Sequence, residues 1–156
     1  MIEPEETIES KLASLLSAAN TGFDVFGALA PATEGVEKFA PLSHIGVVVD
    51  LASQGLDWIG PGVPCSYTVR VAVRVAFADD KSGARFQAAC RSVRAALVAI
   101  TGDGCSALDG DGFTCDAFIF ASTVTALESL GDGEGMNKTY TATVNGRFTP
   151  TNETEA

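Results

Sequence analysis

From Tyr67 to Phe77 the chain alternates without a break. Tyr67, Val69, Val71, Val73, Val75 and Phe77 fall on one side, and Thr68, Arg70, Ala72, Arg74 and Ala76 on the other. A two-residue period is that of a strand with one face in a core and the other in water. After Asp79-Asp80-Lys81-Ser82-Gly83, which has the composition of a turn, the period lengthens. Phe86, Ala89, Cys90, Val93, Leu97 and Ile100 recur at helical spacing, while Arg85, Arg91 and Arg94 fall off that stripe. Residues 66–100 are therefore predicted as a long strand feeding an amphipathic helix.

The flanking segments carry the same two periods. Pro4 to Ala19 reads as a helix: Pro near its start, Glu3, Glu5 and Glu6 in the first turn, and Ile8, Leu12, Leu15 and Leu16 on one stripe. Asn20-Thr21-Gly22 ends it, with Gly22 as a left-handed cap. Residues 23–29 form a strand weakened by Gly27, and 31–41, broken by Gly and Pro, read as loop. A clearer strand follows, with Ile45, Val47, Val49 and Leu51 alternating against His44, Gly46, Val48 and Asp50. Residues 54–64 are a Gly/Pro loop bearing the single Trp, Trp58.

Beyond the second helix, 101–112 is rich in Gly and Asp and aperiodic, which predicts an exposed, mobile loop. Residues 113–124 are apolar on both faces and read as a central strand. Residues 127–135 are a second Gly/acidic loop at a hairpin tip. They lead into a strand over 137–148 with Tyr140, Ala142, Val144 and Phe148 opposite Thr139, Thr141, Thr143, Asn145 and Arg147. A polar tail, 150–156, closes the chain. Strands in succession with hairpin-length links imply an α+β fold: a mostly antiparallel sheet of four or five strands with two helices packed on one face. The opposite face, bearing Thr68, Arg70, Arg74, Thr139, Thr141, Thr143 and Arg147, is flat and polar, suited either to water or to a neighbouring subunit.

At 156 residues the chain fits a single domain, with an ordered core over about 5–148. Twenty acidic residues against ten basic ones give a formal charge of -10, which disfavours nucleic acid and anionic membranes as partners. Arg70, Arg74, Lys81, Arg85, Arg91 and Arg94 concentrate the basic charge in the central strand and helix. No apolar run is long enough to cross a bilayer, and MIEPEETIES is acidic where a secretory signal is basic and then apolar. The expectation is an intracellular chain with reduced thiols.

The residues that catalysis requires do not assemble into a pattern. Cys65, Cys90, Cys105 and Cys115 contain no C-x-x-C pair, and His44 is the only histidine, so no metal site is expected. The Asp-Gly repeat at 109–112 fails as a calcium loop, since placing Asp109 and Asp111 at ligand positions 3 and 5 leaves Ala107 and Phe118 at 1 and 12. Its glycines lack the strand-to-helix setting and the Lys of a phosphate loop. With no G-x-S-x-G and no base beside a nucleophile, no catalytic residue and no cofactor are expected. A ligand-binding or enzymatic α+β domain stays open as an alternative, with a pocket around Trp58, His44 and Tyr67.

The order of elements resembles the tail terminator, or tail-completion, proteins of long-tailed bacteriophages, a family that includes minor tail protein U. The resemblance lies in the helix ESKLASLLSAA, a strand and Pro/Gly loop before SYTVRVAVRVAF, the helix ARFQAACRSVRAALVAI, and the strands FTCDAFIFASTV and NKTYTATVNGRF around an acidic loop. It implies a non-enzymatic virion protein, assembled in the host cytoplasm, that forms a hexameric ring on the head-proximal end of the tail tube. Its partners would be further copies of itself, the tail tube protein and a head-completion or connector protein. On that reading Arg70, Arg74, Arg85, Arg91, Arg94, Thr139, Thr141, Thr143 and Arg147 would lie at subunit or tube contacts. Asp103, Asp109, Asp111, Asp132 and Glu134 would sit on acidic loops near the channel or docking surface. Another neck or tail-tube subunit is the neighbouring alternative.

Overall fold

The computed structural model describes residues 3–20, 23–27, 44–54, 62–76, 83–102, 104–130 and 133–149. Helix α1 (Pro4–Ala19) begins with a proline whose missing N–H costs nothing at that position. The Glu3 N–H donates to Glu6 Oε2 at 2.9 Å, closing the first turn. Its far end is capped by Asn20; Gly22, expected as a left-handed cap, lies outside the described residues. The backbone N–H and Nδ2 of Asn20 both donate to Leu16 O, each at 3.0 Å.

Five strands follow the order β1-β2-β3-β5-β4: β1 (Asp24–Gly27), β2 (His44–Gln54), β3 (Val63–Ala76), β4 (Phe113–Leu130) and β5 (Gly133–Phe148). Only β1 and β2 run parallel; β2-β3, β3-β5 and β5-β4 are antiparallel. Helix α2 (Ala84–Gly102) joins β3 to β4. The fold is α+β, as the two periods predict. Val69, Val71, Val73 and Val75 of β3, with Ile45 and Val47 of β2 and Tyr140, Ala142 and Val144 of β5, form one core cluster. Ile8, Leu12 and Leu16 of α1 and Ala89, Cys90, Val93, Leu97 and Ile100 of α2 complete it. The helices are tied to one another and to the sheet by Ser92 Oγ donating to Ala19 O (3.0 Å) and Tyr140 OH donating to Cys90 O (3.0 Å).

Four expectations are corrected. The central strand starts at Val63 rather than Ser66, because Val63 and Cys65 continue the buried alternation opposite Phe148 and Gly146. Segment 113–124 is an edge strand, paired only with β5 among the described residues. Two register shifts, between Cys115 and Ala117 and between Phe120 and Ser122, re-aim its side chains. Segment 127–135 is mostly ladder, since pairing continues to Leu130 opposite Gly133. The described part of segment 101–112 is folded against the core: α2 runs to Gly102, a 3-10 turn spans Ser106–Leu108, and Cys105 and Leu108 are buried. The expected loop at 31–41, Trp58 and its loop through residue 61, the turn at 79–82, Phe77 and the tail 150–156 lie outside the described residues.

Gly146 shows how tightly β4 and β5 approach. A Cβ there would lie 2.4 Å from Thr114 O and 2.6 Å from the Phe113 ring. Gly146→Ala should therefore destabilise the fold by about 1–3 kcal/mol, the range for forced overpacking. Chemical denaturation of the two proteins measures it, and equal midpoints would contradict the packing described.

Candidate functional site

The face of the sheet turned away from the helices is built in cross-strand rows. Asp50, Thr68, Thr143 and Ile119 lie opposite one another on β2, β3, β5 and β4. The next row is Val48, Arg70, Thr141 and Ser122, and the next Gly46, Ala72, Thr139 and Val124. His44, Arg74, Asn137 and Ala126 follow; toward the other end stands Arg147, between Pro64 and Thr114. No described residue covers this face. Short Thr, Ala and Gly side chains keep its middle flat, and branched apolar residues stand out from it: Val48, Ile119 and Val124 are 38%, 52% and 61% exposed.

Charge on the face is partly neutralised within it. Arg70 Nη2 pairs with Asp50 Oδ2, and Arg147 Nε lies 3.4 Å from Asp116 Oδ2. Both pairs are about half exposed, so each contributes at most about 1 kcal/mol to stability. Arg74 is half-buried and lies beside Gly46, with Nη1 4.0 Å from where a Cβ would be.

The residues singled out in the sequence thus divide. Arg70, Arg74, Thr139, Thr141, Thr143 and Arg147 share the uncovered face. Arg85, Arg91 and Arg94 sit on α2, in the helix layer on the other side of the sheet, and the Arg85 guanidinium lies over the Phe23 ring at 4.4 Å. Asp109 and Asp111 belong to the folded corner after the 3-10 turn. Asp109 Oδ1 accepts the Cys115 N–H at 2.7 Å, and Thr7 Oγ1 donates to Asp111 Oδ2 at 3.3 Å. Asp103 and Asp132 lie outside the described residues, and Glu134 pairs with Ser129 in the β4-β5 ladder. Sequence reasoning missed Val48, Ile119 and Val124. The available signal was the two-sided apolarity of 113–124, which also fits an edge strand with an uncovered face.

The titratable side chains are set for structure. Burial pushes the thiols of Cys65, Cys90 and Cys115 up, Cys115 furthest, with a hydrogen bond to Cys105 adding to its shift. A reactive thiol needs the opposite shift. Tyr67 and Tyr140 are also pushed up by burial, Tyr67 with its ring edge-on to Phe113 at 6.0 Å. Of the pocket considered around Trp58, His44 and Tyr67, only Tyr67 has a described side chain, and it lies in the core. Among the described residues, no three His, Cys, Asp or Glu side chains gather as a metal ion would require.

No protein-family model matches the chain, and no curated protein matches its sequence. Its fold matches a chain in the solved structure of the virion of a native gene transfer agent particle. The match has a TM-score of 0.56 and covers 88% of this chain and 94% of that one, at 17% sequence identity. At that identity what is shared is the fold, over nearly the whole of both chains.

The buried thiols and phenols predict a base-sensitive protein. Their folded pKa values stand above the ordinary 9.0 for Cys and 10.0 for Tyr, so the unfolded chain releases those protons first. Stability from this source is full below the ordinary thiol value and falls as pH rises through about 9 and above. Denaturation midpoints measured across that range should decline, and native thiols should resist an aromatic disulfide reagent until the protein unfolds. A flat profile with prompt thiol labelling would contradict the burial.

Proposed function

We propose that this chain is a structural, non-enzymatic subunit of a phage-like virion, and that within the particle it acts as the tail terminator. The observation that carries the reading is the end-to-end fold match to a gene transfer agent virion chain. Two features of the chain support it. Its described polar groups form caps, ladders and ion pairs, with no nucleophile beside a base, and its sheet offers an uncovered, flat face of the kind used for subunit contacts.

On this reading residues 1–156 act as one domain, and copies of it close into a ring, six in number by the family resemblance. The ring caps the head-proximal end of the tail tube and presents a surface to a head-completion or connector protein. A formal charge of -10 suits a ring whose lumen must pass DNA without holding it. Asp109 and Asp111 would offer fixed negative charge, since both are anchored by hydrogen bonds, with Asp103, Asp132 and Glu134 as further lumen or docking positions. Arg85, Arg91 and Arg94 would make tube or subunit contacts from the helix layer.

Native mass spectrometry and electron microscopy of the purified protein test the proposal. Closed rings of six copies that cap isolated tail tubes are expected. A protein that stays monomeric at high concentration and leaves tubes uncapped would refute it, and growth of open-ended tubes would instead identify a tube subunit.

A further inference from the structure

We infer that Cys105 and Cys115 are an oxidation site, which a small peroxide converts into a disulfide that staples the corner between α2 and β4. The inference stands apart from the assembly reading and uses none of it. Both residues are buried, at 1% and 6% exposure, and both belong to the core cluster. The fold brings them together from the two ends of the corner. Just past α2 the Cys105 N–H donates to Ile100 O at 2.8 Å, and Cys105 takes a left-handed conformation (φ 58°) that starts the 3-10 turn. Asp109, at the far end of that turn, accepts the Cys115 N–H at 2.7 Å and so draws the first residues of β4 back to it. There the Cys115 thiol is hydrogen-bonded to the Cys105 thiol. A bridge needs two thiols that already face each other, because moving the backbone to bring them together is costly. The other two thiols engage different groups: Cys65 Sγ donates to Gly146 O at 3.8 Å, and Cys90 is hydrogen-bonded with Tyr140.

The chemistry needs one oxidant. The Cys105 sulfur attacks an oxygen of hydrogen peroxide, the O–O bond breaks, and the sulfur becomes a sulfenic acid while the departing hydroxide leaves as water with the thiol proton. The Cys115 sulfur then attacks the sulfenic sulfur; the S–O bond breaks, and that hydroxyl leaves as a second water with the Cys115 proton. In sum, two thiols lose two electrons to one peroxide and yield one disulfide and two waters. Cys105 is oxidised first, because burial and the bond to Cys105 hold Cys115 protonated. Burial excludes bulky thiol reagents, whereas peroxide is little larger than water. The pair therefore stays reduced in a reducing compartment and closes on prolonged exposure to peroxide. The bridge encloses the segment bearing Asp109 and Asp111, and it stabilises the corner by restricting the unfolded chain.

The test incubates the full chain with hydrogen peroxide near neutral pH, alkylates the remaining thiols in denaturant and cuts the chain before its aspartates. Cuts before Asp103, Asp109, Asp111 and Asp116 leave Cys105 in peptide 103–108 and Cys115 in peptide 111–115. Mass spectrometry should recover the two peptides joined, and dithiothreitol should separate them. The thermal midpoint of the oxidised protein should stand about 5–10 °C above that of the same sample after dithiothreitol, a comparison that any oxygen added to methionine leaves intact. Cys65→Ser should bridge as the unsubstituted chain does, and Cys115→Ser should leave peptide 103–108 unjoined. Unjoined peptides, oxygen added to either sulfur without a link, a link from either cysteine to Cys65 or Cys90, or an unchanged midpoint would overturn the inference. Should Cys115→Ser fail to fold, the joined peptides of the unsubstituted chain decide it alone.

Discussion

The packing of two helices against one side of the sheet, α1 over β1 and β2 and α2 over β3 and β4, is the interaction on which the rest of the structure depends. Val69, Val71, Val73 and Val75 alternate into a layer filled from the other side by Leu12 and Leu16 of α1 and by Val93 and Leu97 of α2. Each such side chain, removed from water, contributes roughly 1.5–3 kcal/mol, so this layer dominates folding. The same alternation that fills the core sends Thr68, Arg70, Ala72 and Arg74 to the opposite face. Two helices cover one side of the sheet, and no described residue covers the other. A protein that needed only stability could have made that face wholly polar; this one keeps Val48, Ile119 and Val124 on it.

The edge of the sheet repeats the pattern on a smaller scale. Strand β4 has one strand neighbour among the described residues, and its two bulges twist it as it runs past the core. Its start is fixed by the corner after α2. Cys105 and Asp111 adopt left-handed backbone angles (φ 58° and 47°), Leu108 fills the core, and Asp109 holds the Cys115 amide. The Thr101 hydroxyl lies 3.4 Å from Leu97 O and 3.3 Å from Phe118 O, bridging helix end and strand. An acidic segment without periodicity is thereby pinned in place by α1, α2 and β4 together.

What could be read in the sequence follows the same division between local and long-range causes. The strand over 67–76, the helix from Pro4 to Ala19 and the helix stripe from Phe86 to Ile100 are legible because periodicity is a local property and each segment has one wet face. The folded corner at 101–112 was not, because Cys105 and Leu108 are buried by elements distant in sequence and Gly and Asp mimic a solvated loop. Segment 113–124 reads as central but lies at the sheet edge, because apolarity on two faces is shared by buried strands and by edge strands with an uncovered side. The proposed surface was legible in half: Arg70, Arg74, Arg147 and the threonines were recognised from alternation. Arg85, Arg91 and Arg94 share their charge but lie in the other layer, because the helical period carries them onto α2.

The central claim is that this chain works through association, with the uncovered sheet face as the joint. Hydroxyl-radical footprinting of the free subunit against the assembled particle tests it most directly, because it reads side-chain solvent access residue by residue. Ile119 and Val124 should be strongly labelled in the free subunit and protected in the assembly. Equal labelling of Ile119 and Val124 in the two states, with protection elsewhere, would contradict the account.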